Sequence, residues 1–192
     1  MNKETAIRIF SRMPTIETKR LTLRKMRLSD SDDMYAYAKD PGVTKYLLWS
    51  PHPDEEYTYR YLEYVNGCYQ KGEFYDWAVV LREERKMIGT CGFTRFDYDN
   101  NGAEIGYVLS PDYWGRKIAP EAIWAILRFG FITLNLHRIE AKFMEGNERS
   151  RRVMEKCGMT FEGAHRSSML IRNEYKTIGV CAILSEEFIN AW

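Results

Sequence analysis

Residues 104–126, EIGYVLSPDYWGRKIAPEAIWAI, join an apolar strand to an apolar helix through a single Pro/Gly turn. A helix that opens straight out of such a turn leaves its first N–H groups without partners and its positive dipole end facing outward. That is a ready seat for phosphate. Glu104 lies on the strand leading to that seat and is a candidate proton acceptor.

The remaining chain supplies a sheet for this unit. Leu21 and Leu23 share one side of a strand within Arg20–Arg27, and Ser29 and Asp30 can cap a helix running to about Lys39. A tyrosine-rich helix is expected from Asp54 to about Lys71, ended by Gly72. Strands follow at Trp77–Leu81, Met87–Phe96 and Ala103–Leu109, the last two joined by the hairpin signal Asn100-Asn101-Gly102. The long helix is expected over Pro120–Thr133. A strand at His137–Met144, a helix at Glu148–Cys157, two strands at Thr160–Leu170 and Glu174–Leu184, and a short helix close the chain. The order β, α, α, βββ, α, β, α, ββ predicts an α/β (α+β) fold, a mixed sheet with helices on both faces. A length of 192 residues with 45% hydrophobic content suits one domain over 1–192. Residues 1–17 read as a short N-terminal extension without a clear period.

Lys plus Arg number 28 against 27 Asp plus Glu, which argues against coating nucleic acid or an anionic membrane. No apolar run approaches a membrane span and the N-terminus has no long apolar h-region, so a cytoplasmic location is the default. Cys68, Cys91, Cys157 and Cys181 form no CxxC pair and read as small buried hydrophobes. His52, His137 and His165 are scattered, and no metal site is expected.

Within the turn, Gly115 permits a tight backbone approach and Pro120 suits the first helical position. The N–H groups between Arg116 and Ala122, Pro120 excepted, can converge on a pyrophosphate, with Arg116 and Lys117 adding charge. On spacing alone, the turn also reads as an ordinary strand-to-helix connection with a surface basic pair. Asn147-Glu148-Arg149-Ser150-Arg151-Arg152 opens the next helix with three arginines. Cations there oppose the helix dipole by roughly 0.3–1 kcal/mol each, which an adjacent anion would relieve. A solvated basic face is the plainer reading of the same residues.

The combination of TKRLTLR (18–24), AEIGYVLSPDYWG (103–115), APEA (119–122), NERSRRVMEKCGMTFEG (147–163) and NEYKTIGVCAIL (173–184) resembles the GNAT acyltransferases, closest to the RimJ/RimL-type protein N-acetyltransferases. The resemblance spans about residues 15–190. It implies a mixed, mostly antiparallel sheet splayed between its fourth and fifth strands, with acetyl-CoA in the split and the amine acceptor entering from the other side. It places the coenzyme's pyrophosphate on Arg116, Lys117, Ile118 and Ala119, continuing into Glu121 and Ala122, with Arg149 and Arg152 nearby. It puts the pantetheine arm beside Asn147 and the backbone of Val108 and Leu109. It sets Ser150 facing the sulfur, and Glu104 becomes the general base, suited to the task if partial burial raises its pKa.

Two departures from the family pattern stand out. Lys117 replaces the middle glycine of the loop, so it is strained if its φ is positive, or its side chain reaches a phosphate. Met154 stands where many relatives carry the tyrosine that protonates the leaving thiolate, which leaves that step to Ser150 or water.

On the acceptor side the resemblance points to Tyr57, Tyr61 and Tyr64 of the second helix, joined by Trp49, His52 and Tyr75. Such an aromatic cleft favours a cationic amine, although the tyrosines are equally explained as packing with a polar tip. The implied reaction is direct attack of an amine on the thioester in a ternary complex. The acceptor is then a protein N-terminal α-amine of the ribosomal alanine or serine type, or a small amine or antibiotic, by a monomer or homodimer. A non-catalytic acyl-CoA sensor is the rival. An unrelated nucleotide-binding α/β protein ranks last, because GxGxxG and GxxxxGK[ST] are absent.

Overall fold

The computed structural model describes residues 1–190 and arranges eight strands in one sheet, in the order β1-β2-β3-β4-β5-β6-β8-β7. The strands are β1 (Ile16–Glu17), β2 (Leu21–Arg24), β3 (Asp76–Leu81), β4 (Lys86–Asp97), β5 (Gly102–Leu109), β6 (Arg138–Met144), β7 (Thr160–Ile171) and β8 (Glu174–Leu184). β3 is buried from Trp77 to Leu81, as its unbroken apolar run requires of a strand covered on both faces.

Every pairing is antiparallel except β5 with β6. That parallel pairing joins only Gly102–Ile105 to Arg138–Ala141. Beyond it the two strands part, leaving 106–109 and 142–144 on opposite lips of a split. This is the expected splay, displaced by one in strand number because β1 is an additional two-residue strand.

The helices are α1 (Lys3–Ser11), α2 (Ser31–Ala38), α3 (Pro41–Thr44), α4 (Glu55–Lys71), α5 (Ile118–Arg128), α6 (Glu148–Lys156) and α7 (Ser185–Asn190). Three differ from expectation. Pro41–Thr44 forms the one-turn helix α3, with Asp40 as its N-cap, where the chain is expected only to stop a helix. Residues 3–11 are a helix, not a loose lead-in: Asn2 accepts from the Thr5 amide as N-cap, and Ala6 and Phe10, four apart, are fully buried. Phe10 packs on Tyr75, Trp77, Phe93, Phe96 and Phe129. The long helix begins two residues early, at Ile118, and changes after Arg128 into a π-helical turn over Phe129–Thr133. A Cβ on Gly130 in that turn would stand 2.6 Å from Ile139 Cδ1, so the glycine lets the turn press onto the sheet.

Alternation along β3 sends Trp77 into this aromatic cluster and Asp76 to the opposite face. On that opposite face α4 reaches the strand, where the Tyr69 hydroxyl donates to the Asp76 carbonyl at 2.6 Å.

Candidate functional site

The turn before α5 is held from below by a residue nearly a hundred positions earlier. Arg20 donates from Nη1 to the Arg116 carbonyl (2.9 Å), from Nη2 to the Lys117 carbonyl (3.0 Å) and from Nε to Glu121 Oε2 (2.7 Å). A peptide is planar and trans, so its N–H points away from its C=O. Pulling these two carbonyls toward Arg20 therefore turns the N–H groups of Lys117 and Ile118 outward.

Lys117 has φ 58 and ψ 24, left-handed, and no side chain caps the helix it precedes. Gly115 has φ 78. Successive amides in such a bend form an anion-binding concavity, which adds to the helix dipole. Lys117 therefore does occupy the conformation that a glycine would take without strain. Its side chain is exposed, as are Trp114 and Arg116.

Glu121 does not face this mouth. Its carboxylate accepts from Thr18 Oγ1 (2.6 Å), the Arg20 amide (2.8 Å) and Arg20 Nε. Burial acts to raise its pKa, but these bonds outweigh burial and hold it below the ordinary carboxylate range. Of the residues predicted to meet the pyrophosphate, Glu121 is thus turned to structural use in its side chain. Arg116, Lys117, Ile118, Ala119 and Ala122 lie at the turn and the first turn of the helix. Arg20 itself escaped the sequence reading as a site residue, although it lies in the TKRLTLR segment.

The start of α6 is built differently. Asn147 Oδ1 accepts from the Ser150 amide at 3.2 Å, so this side chain is the N-cap and not a free hydrogen-bonding arm. Ser150 Oγ lies 2.7 Å from the Tyr107 hydroxyl, which also donates to the Ser150 carbonyl at 3.1 Å. Tyr107 comes from β5 where it leaves β6. Burial drives its pKa well up against the opposing Ser150 bond, so it stays protonated. The family tyrosine is indeed missing from the helix, where Met154 is buried in the core, but a phenol reaches Ser150 from the sheet instead. No spacing rule in the sequence points to that residue.

Arg149 stacks over Trp114, 5.1 Å from the ring centre, tying the two helix starts together. The Trp114 indole donates to the Leu109 carbonyl at 2.8 Å, so that backbone acceptor is taken. Arg152 bonds back to the Glu148 carbonyl from an exposed position. Val108, half-buried, lies on the same lip of the split.

On the other face Glu104 is not an isolated carboxylate. Lys142 Nζ lies 2.5 Å from its Oε2 and 3.3 Å from Glu140, while Arg138 bridges Glu140 and Glu162 at 3.4 and 2.5 Å. Burial would lower the Lys142 pKa, but Glu104 and Glu140 together raise it above the ordinary lysine range. The ladder borders an open cleft of about 310 Å³ lined by Arg95, Glu162 and His165 among others.

Trp49, His52, Tyr57 and Tyr61 do assemble, with the His52 ring 5.3, 4.8 and 5.9 Å from the other three. His52 Nδ1 sits 2.8 Å from Thr58 Oγ1, and burial lowers its pKa. The Arg172 guanidinium, at the tip of the β7–β8 hairpin, donates to the carbonyls of Thr44, Leu47 and Trp49 and fixes that segment. Tyr75 is not part of the group: it packs on Phe10 and Phe96, 4.7 and 5.0 Å away, on the Trp77 face. Tyr64 is 66% exposed. Cys91, Cys157 and Cys181 are buried and Cys68 half-buried, all free. Among the described residues no cluster of His, Cys, Asp or Glu is arranged to hold a metal, and no helix is long and apolar enough to cross a membrane.

Comparison with known proteins shows the family. A family model described as an acetyltransferase (GNAT) domain matches residues 20–160. An uncharacterized N-acetyltransferase, p20, from Bacillus licheniformis is 35% identical over 176 residues, 92% of this chain and 99% of the relative. A GNAT-family acetyltransferase structure from Bacillus anthracis superposes with TM-score 0.81 at 32% identity, covering 90% of this chain and 99% of its own. The ribosomal protein uS5-alanine N-acetyltransferase of Escherichia coli is 24% identical, over 88% of this chain and 92% of the relative.

Proposed function

The chain belongs to the GNAT acetyltransferase family and is an N-acetyltransferase; from that premise we propose that it moves the acetyl group of acetyl-CoA directly to the α-amine of a protein N-terminus. The observation that carries the coenzyme half is the Arg20-braced turn at Lys117, with its outward amides and with Glu121 bonded away to Thr18 and Arg20. Residues 116–119 and Ala122 receive the diphosphate, and Arg149 and Arg152 supply charge from across the split. The thioester lies between the Val108–Leu109 lip and Ser150. The Ser150–Tyr107 pair delivers a proton to the departing thiolate.

In this reading Glu104, its carboxylate paired with Lys142, borders the split as a member of the charge ladder with Glu140 and Glu162. Trp49, Tyr57 and Tyr61 form the aromatic wall along which the acceptor chain lies. Residues 1–192 act as one catalytic domain, a reading supported by the burial of α1 in the common core. A protein N-terminus is preferred over a small amine because of the distant likeness to the uS5-alanine enzyme.

The test is thiol release from acetyl-CoA with Ala- and Ser-initiated peptides and with propylamine. Turnover on the peptides at least tenfold above propylamine is expected. Turnover on propylamine alone would replace the acceptor, and binding of acetyl-CoA with no turnover on any amine would favour a sensor.

A further inference from the structure

The chain between α3 and α4, residues 45–54, belongs to no helix or strand, yet it carries Trp49 and His52, where the aromatic wall of the acceptor side begins. One side chain at the tip of the β7–β8 hairpin holds its first half. Arg172 Nη2 donates to the carbonyls of Thr44 at 2.8 Å, Leu47 at 3.2 Å and Trp49 at 2.9 Å, and Nη1 donates to that of Lys45 at 3.4 Å. A guanidinium keeps its charge and its donors lie in one plane, so a single group can gather several carbonyls.

The backbone position of Arg172 is unfavourable for an arginine. The hairpin turns through Arg172 and Asn173, with φ 50 and 63, and Ile171 pairs with Glu174 across the turn. Two left-handed residues in a two-residue loop call for Asn and Gly. Asn173 meets that demand and Arg172 does not. A strained turn residue that reaches the main chain of a distant segment is an outlier with a visible use.

The residue before it adds an apolar hold. Ile171 is buried with Met144 and Ile178 in a small cluster apart from the main core, and Tyr46 and Met169 pack against it. Tyr46 comes from the clasped segment, and Met144 ends β6, on one lip of the split. The Tyr46 hydroxyl also lies 3.5 Å from where a Cβ on Gly146 would stand, one residue before the cap of α6. The hairpin tip thus ties segment 44–49 to the β6 lip, with Trp49 at the tied end. From there the His52 ring, 5.3 Å from Trp49, leads on to Tyr57 and Tyr61 of α4 at 4.8 and 5.9 Å.

We propose that Arg172 is a positioning residue for the acceptor amine: it touches neither substrate, and by clasping 44–49 it fixes the Trp49 end of the aromatic wall relative to the β6 lip. This rests on the acetyl-transfer reading above and deepens its acceptor half. The clasp holds several carbonyls at once, so the planar fork matters as well as the charge. Without it the segment keeps the Leu47 amide's bond to the Thr44 carbonyl at 2.9 Å and the packing of Tyr46, so it loosens without unfolding. Ordering the wall anew at each binding event then weakens the amine. The Lys117 turn and the Ser150–Tyr107 pair stand on α5, α6 and β5 and are untouched.

Arg172→Gly is the decisive variant, because glycine suits the left-handed turn while removing the guanidinium, so a poorer hairpin cannot explain its effect. The experiment uses the full chain with acetyl-CoA and whichever of the peptides or propylamine the wild type turns over. The amine KM should rise about tenfold, with kcat within about threefold and the acetyl-CoA KM within about twofold. Trypsin should cut after Lys45 roughly fivefold faster than in the wild type, since the loosened segment opens more often. Arg172→Lys, which keeps the charge without the fork, should fall between the two, and it carries the test if Arg172→Gly does not fold. An unchanged amine KM, an unchanged cleavage rate, or an equal rise in both KM values overturns the inference while leaving the acetyl-transfer reading standing. A wild type that turns over no amine overturns both.

Discussion

The starts of α5 and α6 flank the same split and solve opposite problems. At α5 the residue before the helix is a left-handed lysine with no capping side chain, and its amides are turned outward by Arg20. At α6 the amide of Ser150 is consumed by Asn147. An uncapped helix start is a vacancy for an anion, whereas a capped one offers only side chains. The difference leaves main-chain amides turned outward at α5 and a side-chain hydroxyl, Ser150 Oγ, bonded to Tyr107 at α6; on the proposed reading the first holds the diphosphate and the second serves the chemistry.

The largest effect should come from the α6 side. Ser150→Ala should lower kcat about 100-fold, the ordinary scale for a lost proton donor, with little change in the acetyl-CoA KM; an unchanged kcat would hand the role to water. Arg20→Ala should act on the α5 side in the converse way. It should raise the acetyl-CoA KM about tenfold, as expected from losing bonds made by a charged group, with kcat near wild type. Equal losses in both parameters for both variants would erase the distinction.

Glu121→Gln probes the same brace through pH. The folded pKa of Glu121 lies below its unfolded value, so its contribution is full above about pH 4.5 and fades as pH falls through the lowered folded value. The variant should therefore melt lower than wild type at pH 7, with the gap closing on acidification below pH 4.5. A gap constant with pH would deny the charge its part.

The smallest effects are conformational. Lys117→Gly should relieve about 1 kcal/mol of left-handed strain and leave acetyl-CoA affinity within threefold, if main chain makes the grip; a tenfold loss would show that the lysine side chain reaches phosphate. Asn147→Ala should cost about 1 kcal/mol of stability, detectable in urea unfolding, and leave the acetyl-CoA KM unchanged.

Most strands and helices were legible because each announces itself locally: the apolar run at Trp77–Leu81, the Asn-Gly hairpin before β5, the glycine ending α4. The first helix was missed because its buried face is only two residues, Ala6 and Phe10, in an otherwise polar stretch. The π-helical turn has no local signal in the sequence; Gly130 within it packs against Ile139 of another element. At the site, cap logic points to the turn before α5, whereas Ser150 enters only through the family resemblance and its partner Tyr107 only through the fold. Tyr75 packs on Phe10 and Phe96 and not with the Trp49–His52 group, because its neighbours come from α1 and β4 and no local pattern names them.

What the sequence determined by itself was the order of elements and the opening of a helix out of the Pro/Gly turn after β5, because these depend on neighbours within a few residues. What only the tertiary structure decided was who meets whom across the sheet. Arg20 braces Glu121 from 101 positions away, Tyr107 reaches Ser150 across 43, and Lys142 pairs with Glu104 across 38. Such contacts are set by strand register and by the angle at which helices pack, and no local pattern encodes them.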